Sequence, residues 1–358
     1  MKVTFPHLGN AYIPIEALLQ GLGHEPVTPP FGSKRTLEWG SLYSPEETCL
    51  PFKIILGNML EGIALGANSV YMLGGWGPCR LGYYAEIQRI ILADMGKQVE
   101  FVTLEVPRGG LRASFERLRQ VVGSTNMGNF IRGARLCWAK LKAVEDLENW
   151  SLQARPREKS HGVTSKLLQA QLRSLQQAQS MAAIEKVRLE AKEAFQDVTN
   201  PAFPNPLRVG VLGEIYTVVE PLANYRLEER LGYLGVEVVR TISLKEWVQN
   251  HIFKKAVGLY SLRSLKKSAA GYLRGFIGGH GLESVARSVD LANQNLAGIV
   301  HILPMSCMPE IVAQGIMPQI SSEQNIPILS LVVDEHAGET GFQTRLEAFV
   351  DLLQRRVG

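Results

Sequence analysis

The chain carries 4 cysteines in 358 residues, and their settings divide them into two kinds. Cys49 in SPEETCLPFK and Cys307 in PMSCMPE each stand two residues before a proline that suits the first turn of a helix. Cys79, in GGWGPCRLG, follows a glycine-rich turn and also precedes a helical pattern. The unpaired N–H groups and positive dipole end of a helix N-terminus stabilise a nearby thiolate, so these three positions suit metal or cluster ligation. Cys137 differs: ARLCWAKLKA is mid-helix, where a thiol serves as a small buried hydrophobe. The sequence has no compact C-x2-C pair, which excludes a zinc-finger pattern and a ferredoxin run. Spacing alone leaves two readings open, ligands or buried structural thiols.

Further titratable groups fall near the same expected strand ends. His280 in GGHG sits in a flexible glycine turn, and Glu214 follows the strand LRVGVLG; these are candidates for a proton donor and a base. Arg80, next to Cys79, is a candidate for offsetting anionic charge or donating to sulfur. His301, inside the apolar run GIVHIL, reads as a hydrogen-bonded core histidine, and His7 closes the first strand beside Pro6. Glu310 favours the helix dipole after Pro309.

Strand and helix signals alternate through the first part of the chain. KVTF predicts a strand, Ala11 to Gly21 a helix, Phe52 to Leu65 a helix, Ser69 to Leu73 a buried strand, Leu81 to Met95 a helix and Gln98 to Leu104 a strand. From Gly110 to Val198 the strand signals vanish and strong helix formers dominate. Within that section Arg157 to Gln179 is polar all round, which predicts an exposed or bridging helix pair. The stretch NPAFPNP cannot continue a helix and marks a boundary. Alternation then resumes, with strands at Leu207 to Leu212, Val236 to Ile242, Gly298 to Leu303 and Pro327 to Val333. Between them helices are expected at Val218 to Leu234, on to about Leu265, Leu282 to Asn295, from Pro309, and at Thr344 to Arg355. This pattern predicts two α/β domains with doubly wound parallel sheets, residues 1–109 and 206–358, joined by a helical section over 110–205. Ligands of such sheets bind beyond the carboxyl ends of the strands, where the three cysteines fall. The openings KVTFPHLGN and RVGVLGE run alike, which suggests an internal structural duplication.

Composition narrows the function classes. The net charge is +4, but no dense Lys/Arg block alternates with aromatics, so a nucleic-acid partner is not expected. No run of about 20 apolar residues is present, and MKVTFPHLGN lacks a signal-peptide pattern, which predicts a cytoplasmic location away from membranes. The pattern G-x4-G-K-[ST] does not occur, so any ATP hydrolysis is expected of a partner.

Several long blocks carry a resemblance. TFPHLGN, KRTLEWGSLYSPEETCLPFK, GANSVYMLGGWGPCRLGYYAE, GEIYTVVEP, GGHG at 278–281, GIVHILPMSCMPEIVAQGIMP and DEHAGETGFQTRLEAFVDLL resemble the 2-hydroxyacyl-CoA dehydratase subunit family, including CoA-substrate-specific enzyme activase relatives. The resemblance implies flavodoxin-like domains enclosing one [4Fe-4S] cluster, with Cys49, Cys79 and Cys307 as ligands and Cys137 outside the set. It implies an ATP-hydrolysing activator protein as the donor of a low-potential electron. It also implies a homo- or heterodimeric assembly and a small-molecule or acyl-CoA thioester substrate, dehydrated through a ketyl radical. Three ligands for four irons leave one iron open to water or a substrate oxygen. Two other readings stay beside this one: a non-catalytic electron-transfer partner, and a structural zinc site completed by His280 or His301.

Overall fold

A computed structural model of the chain describes residues 1–74, 80–105, 126–203, 205–254 and 261–357. Cys79 and the first part of the expected helical section, residues 110–125, lie outside these ranges. The described residues divide into two compact units. The first takes Met1–Val144, Gln176–Ile184 and Ser243–Ser261; the second takes Glu145–Leu175, Glu185–Ile242 and Leu262–Gly358. The residues of the helical section are thus shared between the two units.

The first unit holds a parallel sheet of β1 (Lys2–Thr4), β2 (Glu25–Pro26), β3 (Ser69–Gly74) and β4 (Glu100–Glu105), in the order β2-β1-β3-β4. Register runs through Val3 opposite Ser69 and Ser69 opposite Glu100. Helix α1 (Tyr12–Gly21) follows β1, α2 (Lys34–Tyr43) and α3 (Leu50–Ala64) lead into β3, and α4 (Leu81–Asp94) joins β3 to β4. Helix α2 carries no strong apolar stripe and was not expected from the pattern. It forms because a Ser33–Thr36 capping box starts it and because glycines let it lie backbone to backbone on α3. A Cβ on Gly57 would stand 2.0 Å from the Thr36 carbonyl oxygen, and one on Gly40 would stand 1.7 Å from that of Lys53. This hairpin fixes the loop between its helices, and that loop contains Cys49.

Helix α5 (Met127–Ala154) contains Cys137 and is followed by a 3-10 turn over Arg155–Arg157, then α6 (Val163–Gln177) and α7 (Met181–Asp197). Helix α6, expected to belong to an exposed or bridging pair, buries one side: Leu172 and Leu175 are buried, with Leu175 at 0 % exposure. Its few leucines share one face, and the Gln and charged residues occupy the other.

The second unit repeats the first. Its sheet is β5 (Leu207–Gly213), β6 (Val236–Arg240), β7 (Gly298–Pro304) and β8 (Ile328–Val333), parallel throughout and ordered β6-β5-β7-β8. With the outermost strand of each sheet set second in the chain, both have the flavodoxin-like arrangement in which strand order reverses between the first and third strands. The expected duplication therefore holds at the level of topology.

The helix expected over Val218 to Leu234 is two short ones, α8 (Ile215–Val219) and α9 (Leu227–Tyr233). Pro221 interrupts them, and Tyr225 and Arg226 take left-handed backbone (φ 52° and 56°). Buried Asn224 bridges the break, donating from Nδ2 to the Thr217 and Val218 carbonyls and accepting from the Leu227 N–H. Next in the chain are α10 (Leu244–Val248), a π-helical turn over Gln249–Lys254, and α11 (Arg263–Ala269). Then α12 (Gly281–Ala292) leads into β7, α13 (Met308–Glu323) links β7 to β8, and α14 (Glu339–Val357) closes the chain. The apolar faces of α12 and α13 meet the sheet in one core of Leu212, Leu282, Val285, Ile299, Met317 and Ile320, all at most 2 % exposed. Each such side chain contributes roughly 1.5–3 kcal/mol of transfer free energy.

One charged cluster lies inside the second unit. Arg240 donates both Nε and Nη2 to the Glu228 carboxylate (2.6 and 2.5 Å) and Nη1 to Glu148 (2.6 Å). The two carboxylates hold its guanidinium charged, which joins α5, α9 and β6. Arg240→Ala should destabilise the chain by about 3–5 kcal/mol in urea unfolding, since it strands two largely buried carboxylates. Double replacement of Glu148 and Glu228 with Gln in that background should recover part of the loss.

Candidate functional site

In the first unit Cys49 is the N-cap of α3, in extended backbone (φ −70°, ψ 156°), with Pro51 in the first turn. Only 9 % of it is exposed. Its sulfur meets the hydroxyl of Tyr84, a residue on α4 that is itself buried. The Tyr84 ring stands edge-to-face on Phe52, centroids 4.9 Å apart, and the Phe52 N–H bonds the Cys49 carbonyl. The hydroxyl is thus aimed by packing. Arg80, the N-cap of α4, donates from Nη1 to the Glu47 carbonyl at 3.1 Å. The residue that follows Cys79 in the chain is therefore tied to the loop that carries Cys49. Arg80, read from sequence as a group that might balance charge at sulfur, has a positioning role in this bond.

In the second unit Cys307 is the N-cap of α13, again extended (φ −78°, ψ 95°), again followed by a proline, and 9 % exposed. Ser306 before it is left-handed (φ 65°), a conformation uncommon for a residue with a Cβ. The turn is held by Cys307 N–H to the Pro304 carbonyl and Met305 N–H to the Val333 carbonyl. Below the cysteine, Glu310 is fully buried and pairs with His301 Nε2 at 2.8 Å, while Ser284 of α12 donates to its other oxygen at 3.1 Å. His301 and Glu310, read separately from sequence as a core histidine and a helix-start acid, form a single buried pair. It pins the first turn of α13 to β7 and α12.

Glu214 caps α8, accepting from the Tyr216 and Thr217 N–H groups and the Thr217 hydroxyl. Burial raises its pKa above the ordinary value of 4.5, although the three donors and the nearby His280 imidazole act against that. His280 is the N-cap of α12. Tyr216 buries its hydroxyl without a hydrogen-bond partner among the described residues, a donor that sequence reasoning missed. Glu214 follows β5 and Cys307 follows β7 at the carboxyl ends where the strand order reverses, and His280 stands within electrostatic reach of Glu214. His7 behaves otherwise: it is 2 % exposed, its Nε2 lies 2.7 Å from the Pro29 carbonyl oxygen, and its ring stacks on Phe31. Burial lowers its pKa. Cys137 is mid-helix as expected, and burial pushes its thiol up to about 12, which suits an inert structural role.

The donor set suits a soft, thiolate-held centre. Two cysteines share helix-cap geometry and low exposure, and the Tyr84 hydroxyl meets one of the sulfurs. Among the described residues no group of three or more His, Cys, Asp or Glu side chains could hold a metal ion by itself. The third expected ligand, Cys79, lies outside them. No helix among the described residues is long and apolar enough to cross a membrane. No protein-family model matches the chain, and no curated protein matches it.

Two measurements follow from these groups. Glu310→Ala leaves the buried His301 nitrogen and Ser284 hydroxyl without their partner, at about 1–3 kcal/mol for each, and should lower the urea midpoint accordingly. Because the folded-state pKa of Glu214 is raised, its protonation stabilises the fold: the contribution is complete below pH 4.5 and is lost as pH rises through the raised value. Glu214→Gln should therefore be more stable than the native chain at pH 7 and lose that advantage below pH 4.5.

Proposed function

We propose that the chain is an iron-sulfur redox protein in which the thiolates of Cys49, Cys79 and Cys307 hold a [4Fe-4S] cluster. An ATP-hydrolysing activator supplies a low-potential electron, and a small molecule, with acyl-CoA thioesters as the first class to test, is dehydrated or reduced. The reading rests on one recurrent location. Cys307 and Cys79 each follow the third strand of a sheet, and Cys49 caps the helix entering one of those strands in a loop bonded to the residue after Cys79. The sequence blocks that resemble 2-hydroxyacyl-CoA dehydratase subunits surround these same cysteines.

Such a cluster supplies one-electron transfer and, at an iron without a cysteine, a Lewis-acid position. The residues around it have separable tasks. Helix N-termini at Cys49 and Cys307 stabilise negative charge on sulfur, and Tyr84 donates to one of the sulfurs. The His301–Glu310 pair holds the Cys307 turn. Glu214, its pKa raised by burial, is suited to holding a proton that an exposed carboxyl would give up, and His280 stands within its electrostatic reach. Arg80 holds the Cys49 loop and adds positive charge there.

Anaerobic reconstitution with iron and sulfide should give a brown chain holding four irons and four sulfides. Cys49→Ser, Cys79→Ser and Cys307→Ser should each lose most of that content, and Cys137→Ala should keep it. Uptake of one zinc without sulfide would replace the cluster with a structural metal site. Loss of iron in Cys137→Ala would refute the three-ligand set.

A further inference from the structure

An open sheet ends in two edge strands, and the outward backbone groups of an edge accept a further strand unless something blocks them. Among the described strands, three of the four edges carry such a block. β2 contains Pro26, and its Glu25 pairs with Lys2 at 3.4 Å. β4 opens on exposed Glu100. β6 carries Glu237, held by Arg157 and Arg208, and Arg240, held by Glu148 and Glu228. β8 reads ILSLVV, with neither a charge nor a proline.

The ladder shows which of its groups face away from the sheet. Ile299 N–H bonds the Pro327 carbonyl and Met305 N–H bonds the Val333 carbonyl, so positions 327, 329, 331 and 333 face β7. Alternation along the strand turns the N–H and C=O groups of Ile328, Ser330 and Val332 outward. Arg345 of α14 donates to the Ser330 carbonyl at 2.8 Å, and that oxygen keeps a second lone pair. Val332 is 39 % exposed although apolar. The neighbouring helix has the same character. α13 packs on β7 and β8 and exposes Met308, Ile311 and Val312, and none of its exposed residues from Met308 to Ser322 carries a charge. The two ends of β8 are opposite in charge: Asp334 follows its carboxyl end, and at its amino end exposed Arg356 donates to the Asn325 side chain and carbonyl (3.0 and 3.3 Å).

We propose that two copies of this chain pair β8 with β8, antiparallel about a two-fold axis at Ser330, so that their second-unit sheets become one continuous sheet. Ile328 then exchanges both backbone bonds with Val332 of the other copy, and Ser330 does so with its own counterpart. A second copy is the occupant that fits, because antiparallel pairing carries each Asp334 toward the other copy's Arg356, while the uncharged exposed face of α13 offers no like charge to repel its twin. The association belongs to the second unit alone and is independent of the cluster reading.

Sedimentation equilibrium of the purified full chain, with hydrogen exchange over β8, is the test. The native chain should show twice the monomer mass of 39.6 kDa. Val332→Lys puts an ammonium on the pairing edge, and Val332→Pro removes one outward N–H without touching the ladder to β7. Each should halve the mass. The amides of Ile328, Ser330 and Val332 should be protected in the native chain and exchange as exposed amides in the variants; the native measurement needs no substitution and holds even where a variant fails to fold. A native chain that sediments as a monomer at every soluble concentration, a dimer that survives either replacement, or a dimer whose three outward amides exchange as exposed groups overturns the proposal.

Discussion

Parallel pairing is the constraint on which the rest of this molecule depends. When every strand of a sheet points the same way, every residue that follows a strand emerges at one edge, and the crossover helices begin there with their N–H groups unpaired. The order β2-β1-β3-β4, repeated as β6-β5-β7-β8, sends the connections after the first and third strands to opposite faces and opens a crevice between them. In the second unit Glu214 and Cys307 stand at that edge, after β5 and β7, although they are far apart in sequence. Unpaired N–H groups at helix starts stabilise anionic sulfur, and Cys49 and Cys307 each cap such a helix.

The edge has to be held in place, and buried polar pairs do so. His301 on the wholly buried β7 would be costly without a partner; Glu310 supplies one and takes a second bond from Ser284. The result is a link from strand to two helices directly below Cys307. Arg240 does comparable work away from the site, joining α5, α9 and β6 through Glu148 and Glu228. Both arrangements would be destabilising if half made, and each is complete.

In the first unit the same task falls to close packing. Glycines at 40 and 57 let α2 lie on α3 at backbone distance, which sets the loop containing Cys49. The Phe52–Tyr84 ring pair and the Arg80 bond to Glu47 then fix the cysteine against the start of α4. The setting of Cys49 thus depends on residues whose individual types suggest only packing.

Much of this was legible in the amino-acid order. Alternating strand and helix patterns dictate two parallel α/β sheets, because a strand buried on both faces and an amphipathic helix carry different periodicities. The settings of Cys49, Cys79 and Cys307 against that of Cys137 follow from proline, glycine and helical spacing, which are local properties. Residue partnerships are not local. That His301 and Glu310 are one pair, that Tyr84 meets Cys49 and that Arg80 holds a loop were decided by which faces the sheet and helices present to one another. Helix α2 and the buried leucines of α6 were likewise settled by packing, since their patterns are weak and only a neighbouring surface tells such a segment which side to bury.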